Sequence, residues 1–122
     1  ASGHPLDDFP CATEAEGYTS VVASPDGRYL AFSSRNQGYV CDLTDGSRLT
    51  NRSVGAVMDW HPLRQELVDI VEGVVRIVDP FTSEPIAEIT DHSGVIEALW
   101  NPDGSLLATG SIDGTIKIWT SP

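Results

Sequence analysis

Basic residues are scarce in this 122-residue chain: 7 Lys and Arg face 18 Asp and Glu, for a formal net charge of −11. Such a surface repels phosphate backbones and anionic headgroups, so no nucleic acid and no membrane is expected as a partner. The charge favours solubility, or a basic partner. Long hydrophobic runs are missing too. No apolar stretch approaches the ~18 residues of a membrane span, and no secretory leader is recognisable, so a cytoplasmic location is expected. Cysteine is rare. Cys11 and Cys41 share no metal-type spacing; unpaired thiols are the expectation, with a disulfide as the alternative. The Asn51–Ser53 triplet "NRS" fits a glycosylation acceptor but is common by chance. Sustained helical periodicity is also lacking.

Turn residues, by contrast, are plentiful, with 11 Gly and 8 Pro, and 40% of the chain is hydrophobic. That balance suits one small β-rich domain. Three segments align on a proline: "ASPDGRYLAFSSRNQGYVCDL" at Pro25, "WHPLRQELVDIVEGVVRIVDP" at Pro62 and "WNPDGSLLATGSIDGTIKIWT" at Pro102. The third needs one extra residue. In each, a short apolar strand leads into a turn. Pro presets φ and Gly accepts positive φ, so Pro-Asp-Gly in the first and third units is a turn with a mechanism. A second strand follows ("RYLAFSS", "ELVDIV", "SLLATGS"), then a turn at Gly38, Gly73 or Gly114, then a third strand ("YVCDL", "VVRIVD", "TIKIWT"). A fourth short strand is expected at "SRLT" in the first unit and at "PIAEIT" in the second. Four antiparallel strands per repeat of about 40 residues is a β-propeller blade.

The third unit, with "DHSG" followed by "NPDGSLLATGSIDGTIKIW", resembles the WD-repeat (WD40) family. The resemblance implies that His92, Thr109, Asp113 and Trp119 form a hydrogen-bonded structural tetrad. The family's Gly-His is Asp91-His92 here, its Trp-Asp is Trp119-Thr120, and His92 lies one residue closer to Pro102 than usual. The other units have drifted: unit two keeps Asp79 but has Val78 for Trp, and unit one has Cys41-Asp42. Unit one also resembles the propeller repeat of TolB-type proteins.

The expected fold is therefore all-β: three blades' worth of four-stranded antiparallel sheet in the order d-abcd-abcd-abc. Residues 1–17 carry a candidate closing strand at 6–9, because "PLDDF" matches "PIAEI" in pattern. Blade one spans 18–53, blade two 54–90, and blade three, strands a to c, 91–122. WD-repeat propellers close by lending an N-terminal strand to the last blade. Three blades cannot ring a channel when closed propellers have about 4–8. Two copies would give six blades and three copies nine, and such a homo-oligomer is the expectation. Another protein's blades, or the rest of a longer chain, remain open as alternatives.

Catalytic chemistry is not expected. His92 and Asp113 with Ser93 or Ser111 match a triad in composition only, because no Gly-x-Ser-x-Gly elbow accompanies them. His4, His61 and His92 share no metal spacing, and no phosphate-cradling loop is present, so no metal and no cofactor is expected. Asp7 and Asp8 would point to opposite faces of a strand. His61 reads as a turn residue, and Trp60 and Trp100 as core. The resemblance implies a non-enzymatic scaffold that binds a protein or peptide. Arg35, Arg64, Glu97 and Asp113, near turns and first strands, are the candidate contacts. The Trp-Asp-x-Arg motif tied to ubiquitin-ligase adaptor docking is missing at "CDLT", "VDPF" and "WTSP". The alternative reading, from unit one, is the accessory propeller of a TolB-like or peptidase-linked enzyme.

Overall fold

The computed structural model describes residues 18–34, 37–49 and 55–121. They form ten strands and no helix. The first sheet holds β1 (Tyr18–Ala23), β2 (Tyr29–Ser34) and β3 (Gln37–Asp42). The second holds β4 (Ala56–Trp60), β5 (Leu67–Val71), β6 (Val74–Val78) and β7 (Pro85–Ile89). The third holds β8 (Val95–Trp100), β9 (Leu106–Ser111) and β10 (Ile116–Thr120). All pairs are antiparallel and run in sequence order. This is the expected blade architecture, with one difference. The fourth strand expected at "SRLT" is reduced to a bridge between Arg48 and Cys41 and a Leu49 N–H bond to the Val40 carbonyl. The closing strand expected at 6–9 lies outside the described residues.

The turns follow the sequence. Gly27 (φ 73°) and Gly104 (φ 76°) take left-handed conformations and donate to the Ser24 and Asn101 carbonyls. Asp26 and Asp103 brace these turns by accepting from Arg28 N–H and Ser105 N–H. The middle turn has Pro62-Leu63-Arg64 instead. There the His61 Nδ1 accepts from both Leu63 and Arg64 N–H, each at 3.0 Å. An imidazole thus replaces the aspartate, which is why this drifted turn still closes.

The three first strands lie side by side, with β4 packed on both β1 and β8. Each carries a register shift: Tyr18/Ser20, Val57/Asp59 and Val95/Glu97. An extra residue, six positions before the aligning proline in the first and third sheets and four before it in the second, bends each strand and strengthens its twist. Between the first two sheets lie Ala31, Val40, Val57, Trp60, Leu67 and Val78. Tyr29 stacks on Trp60 with centroids 6.1 Å apart. Between the second and third lie Val68, Ile70, Val75, Ile77, Ala98, Trp100 and Leu107, with Trp119 at the margin. Each fully buried aliphatic side chain contributes roughly 2 kcal/mol. Alternation decides the faces. Val68 and Ile77 point to the third sheet, while Leu67 and Val78, one residue away, point to the first.

The expectation of unpaired thiols is corrected for Cys41, which is disulfide-bonded. The sequence's one other cysteine, Cys11, lies outside the described residues.

Candidate interaction surface

In the third sheet the named side chains form a continuous chain of hydrogen bonds. Trp119 Nε1–H donates to Thr109 Oγ1 at 3.0 Å, and Thr109 Oγ1 lies 2.7 Å from His92 Nδ1. His92 Nε2 lies 2.7 Å from Thr115 Oγ1, whose hydroxyl donates to Asp113 Oδ1. Only one arrangement satisfies every group: Thr109 donates to Nδ1 and Nε2–H donates to Thr115. His92 and Thr109 are buried, whereas Asp113 is exposed at the turn. Asp113 therefore reaches the histidine through Thr115. Thr115 and its own backbone hold the Asp113 carboxyl below the usual range. Every partner here is another blade atom, so the geometry is that of a brace for the β9–β10 turn.

The second sheet meets the same need with different chemistry. Asp69, fully buried, stands where Thr109 stands, and Arg76 stands where Lys117 stands. Arg76 Nε and Nη2 donate to Asp69 Oδ1 and Oδ2 at 2.9 and 2.7 Å, and Gly55 N–H donates to Oδ2 at 2.7 Å. The bidentate bond keeps the Arg76 guanidinium charged more firmly than usual. In the first sheet the equivalent pair is Phe32 and Tyr39, in ring contact at 5.9 Å. Sequence reasoning missed the Asp69–Arg76 pair. An acid and an arginine at matching places on two strands of one hairpin were its signal.

Polar bonds also join neighbouring sheets near their first strands. Ser20 Oγ donates to the Val57 carbonyl. The Asp59 carboxylate accepts from Trp60 N–H and, across the sheet boundary, from Trp100 N–H at 2.8 Å. Burial holds the Asp59 carboxyl above the usual range. His61, buried, lies with Nε2 3.1 Å from the Gly104 carbonyl and its ring edge-on to Trp100 at 4.8 Å.

Of the candidate contact residues, Arg35 lies outside the described residues. Arg64 donates to Ser121 Oγ at 2.9 Å and lies 3.4 Å from Glu66, so it ties the second sheet to the end of the third. Glu97 is exposed on β8, opposite Gly110. Asp113 is exposed too, and occupied with its own turn. The three described residues lie on the β4–β5 turn, on β8 and on the β9–β10 turn.

Beside them lies an apolar surface. On the third sheet, the face turned away from the second carries Leu99, Leu106, Ile116 and Ile118, exposed by 46, 40, 74 and 60%. Ile116 and Ile118 hold the places of Val75 and Ile77, which in the second sheet are covered by the third. The third sheet thus repeats the face that a neighbouring sheet covers. Among the described residues nothing pairs with the outer edge of β10. Beside that edge runs a groove lined by Ala87, Ile89, Trp119 and Thr120, between β7 and β10. Among the described residues no cluster of His, Cys, Asp and Glu could hold a metal ion, and no helix is long and apolar enough to cross a membrane.

Sheets laid side by side with first strands innermost define a β-propeller, here an open arc of three blades. Residues 83–120 match the family model of the WD domain, G-beta repeat. That span starts just before β7 and ends with β10, so the sequence repeat straddles two sheets. The chain is 30% identical to the small ribosomal subunit protein RACK1 of Schizosaccharomyces pombe, over 93% of this chain and 42% of that protein. It is 24% identical to the gastrulation defective protein 1 homolog of Drosophila melanogaster, over 87% of this chain and 16% of that one. A chain in the crystal structure of the mitotic checkpoint complex superposes with a TM-score of 0.69 at 25% identity, over 85% of this chain and 34% of that one. The chain thus spans less than half the length of these relatives. Its third repeat is a WD40 repeat, and the chain carries part of a WD40-repeat β-propeller.

Proposed function

We propose that the chain acts as a protein-interaction scaffold whose propeller is completed on the open face of the third sheet, by a second copy of this chain. The observation that carries this reading is the repetition of a buried interface in exposed form. Ile116 and Ile118 stand where Val75 and Ile77 are covered by the next sheet. An apolar face left open in this way favours association. Two copies supply six blades, within the usual range of closed propellers of about 4–8. The completed disc would present its turns to a protein or peptide ligand on a rigid frame. A second reading, favoured by the partial coverage of the relatives, is that the further blades belong to a longer chain.

Light scattering coupled to size-exclusion chromatography tests the first reading. The full chain is expected to run as a dimer. Ile116→Lys with Ile118→Lys is expected to run as a monomer with an unchanged β-sheet circular dichroism spectrum. A wild-type monomer at every concentration refutes self-association and leaves the longer-chain reading.

A further inference from the structure

The first and third blades brace their Pro-Asp-Gly turns with an aspartate, Asp26 and Asp103. The β4–β5 turn has Leu63 at that place, directly after Pro62. His61 does the bracing instead, with Nδ1 accepting from Leu63 and Arg64 N–H and Nε2 beside the Gly104 carbonyl. The side chain at position 63 is thereby released from the turn. It is 77% exposed, the most exposed large apolar side chain among the described residues. Beside it, between this turn and the β1–β2 turn, lies a hollow of about 140 Å³. Pro25 and Asp26 line it from the first sheet, and Trp60, Pro62 and Leu63 from the second. Small-molecule sites start at roughly 300 Å³, so this volume suits a single side chain.

The charge at the hollow is one-sided. Asp26 accepts both of its local bonds, from Ser24 Oγ–H and Arg28 N–H, on Oδ1. Those bonds, the Ser24 one foremost, hold the carboxyl below its usual range and so keep it ionised. Oδ2 keeps its lone pairs for an outside donor. The nearby cations are engaged elsewhere: Arg64 with Ser121 and Glu66, and Arg28 with Asp42 at 3.8 Å. The chain's net charge of −11 draws basic segments toward it. Resting on the scaffold reading above, though not on self-association, we infer that this hollow docks an extended segment of a partner protein in which a Lys or Arg is followed two places on by a large apolar residue. Alternate residues of an extended chain face the same way, so both side chains reach the site together. The basic side chain lays its methylenes along Pro25 and Pro62 and its charge at Asp26, while the apolar one covers Leu63.

The test is a nitrogen–proton NMR titration of the full chain with the capped peptide Gly-Ser-Lys-Ser-Leu-Ser-Gly. Saturable shifts are expected at the amides of Asp26, Leu63, Arg64 and Gln65 and at the Trp60 indole. The same peptide with Glu for Lys is expected to bind about fivefold more weakly, the upper scale of an exposed ion pair. Asp26→Asn keeps an Oδ1 acceptor for both local bonds and removes the charge. It is expected to weaken the Lys peptide about threefold and to abolish the preference over the Glu peptide. Leu63→Ser is expected to weaken both peptides about fivefold, the scale of a half-covered leucine. Equal affinity for the two peptides in the wild type, or wild-type affinities in either variant, overturns the assignment. Saturable shifts confined to other turns, with this peptide or with a random heptapeptide mixture, overturn this site and leave the scaffold reading; no saturable shift with either overturns both.

Discussion

Removing one member of the Asp69–Arg76 pair should destabilise the fold far more than removing both. Asp69 is fully buried, accepts two bonds from Arg76, and accepts a third from Gly55 N–H. Asp69→Val leaves a half-buried guanidinium without its carboxylate and Gly55 N–H without its acceptor. Loss of one partner of a buried pair costs about 3–5 kcal/mol. The Arg76 side chain keeps 21% of its surface in water and can recover some hydration, which places the cost near the low end, about 3 kcal/mol. Arg76→Met strands the carboxylate instead, with no exposure of its own, and should cost about 4 kcal/mol. Asp69→Val with Arg76→Met removes both charges and lets apolar groups fill the space. It should cost about 1–2 kcal/mol, mostly for the Gly55 N–H left unbonded. Urea denaturation followed by fluorescence of the tryptophans measures this. With a slope of about 1.5 kcal/mol per molar, the single changes move the midpoint by about 2–3 M and the double by about 1 M. Single-variant costs below 1 kcal/mol, or a double that costs the sum of the singles, would refute the idea that this pair substitutes for the tetrad.

Three further outcomes follow from local geometry. Glu72 (φ 51°) and Gly73 (φ 79°) occupy a two-residue hairpin turn that favours Asn-Gly, so Glu72→Asn should stabilise by about 0.5–1 kcal/mol, read as a higher urea midpoint. Gly104→Ala would force its Cβ into the His61 ring at a positive φ and should destabilise by at least about 2 kcal/mol, seen as a lower melting temperature. Asp59 binds its proton more readily folded than unfolded, so its ionisation lowers stability as pH rises from its ordinary value through its raised one. Asp59→Asn should therefore gain on wild type as pH rises above about 4 in parallel urea titrations. The exposed Asp26, Asp45, Asp103 and Asp113, held below the usual range by local hydrogen bonds, act the other way and are common to both proteins.

Reading the blades from sequence worked where the signals were local. Pro-Asp-Gly turns, two-residue alternation and the recurring proline all act within one hairpin, and the ten strands fall where those signals stand. The described part of "SRLT" meets the edge of β3 through one bridge, Cys41–Arg48, and the Leu49 N–H bond to Val40. His61 was legible as a turn residue, but its contact with Gly104, 43 residues away, was not. Arg64 was legible as a candidate contact residue near a turn, but its tie between two blades through Ser121 was not, because that partner lies 57 residues away.

Repeat length, turn chemistry and the residues of one WD40 repeat were enough to specify the class of protein. Those are properties of neighbouring residues, and steric preference with hydrophobic alternation suffices to encode them. Which face of each blade is covered was settled only by packing in three dimensions. Val75 and Ile116 occupy the same place in the same pattern, yet one lies under the next sheet and the other faces solvent. Burial depends on what packs against a residue, and that is set by the arrangement of blades in space rather than by the strand that carries it.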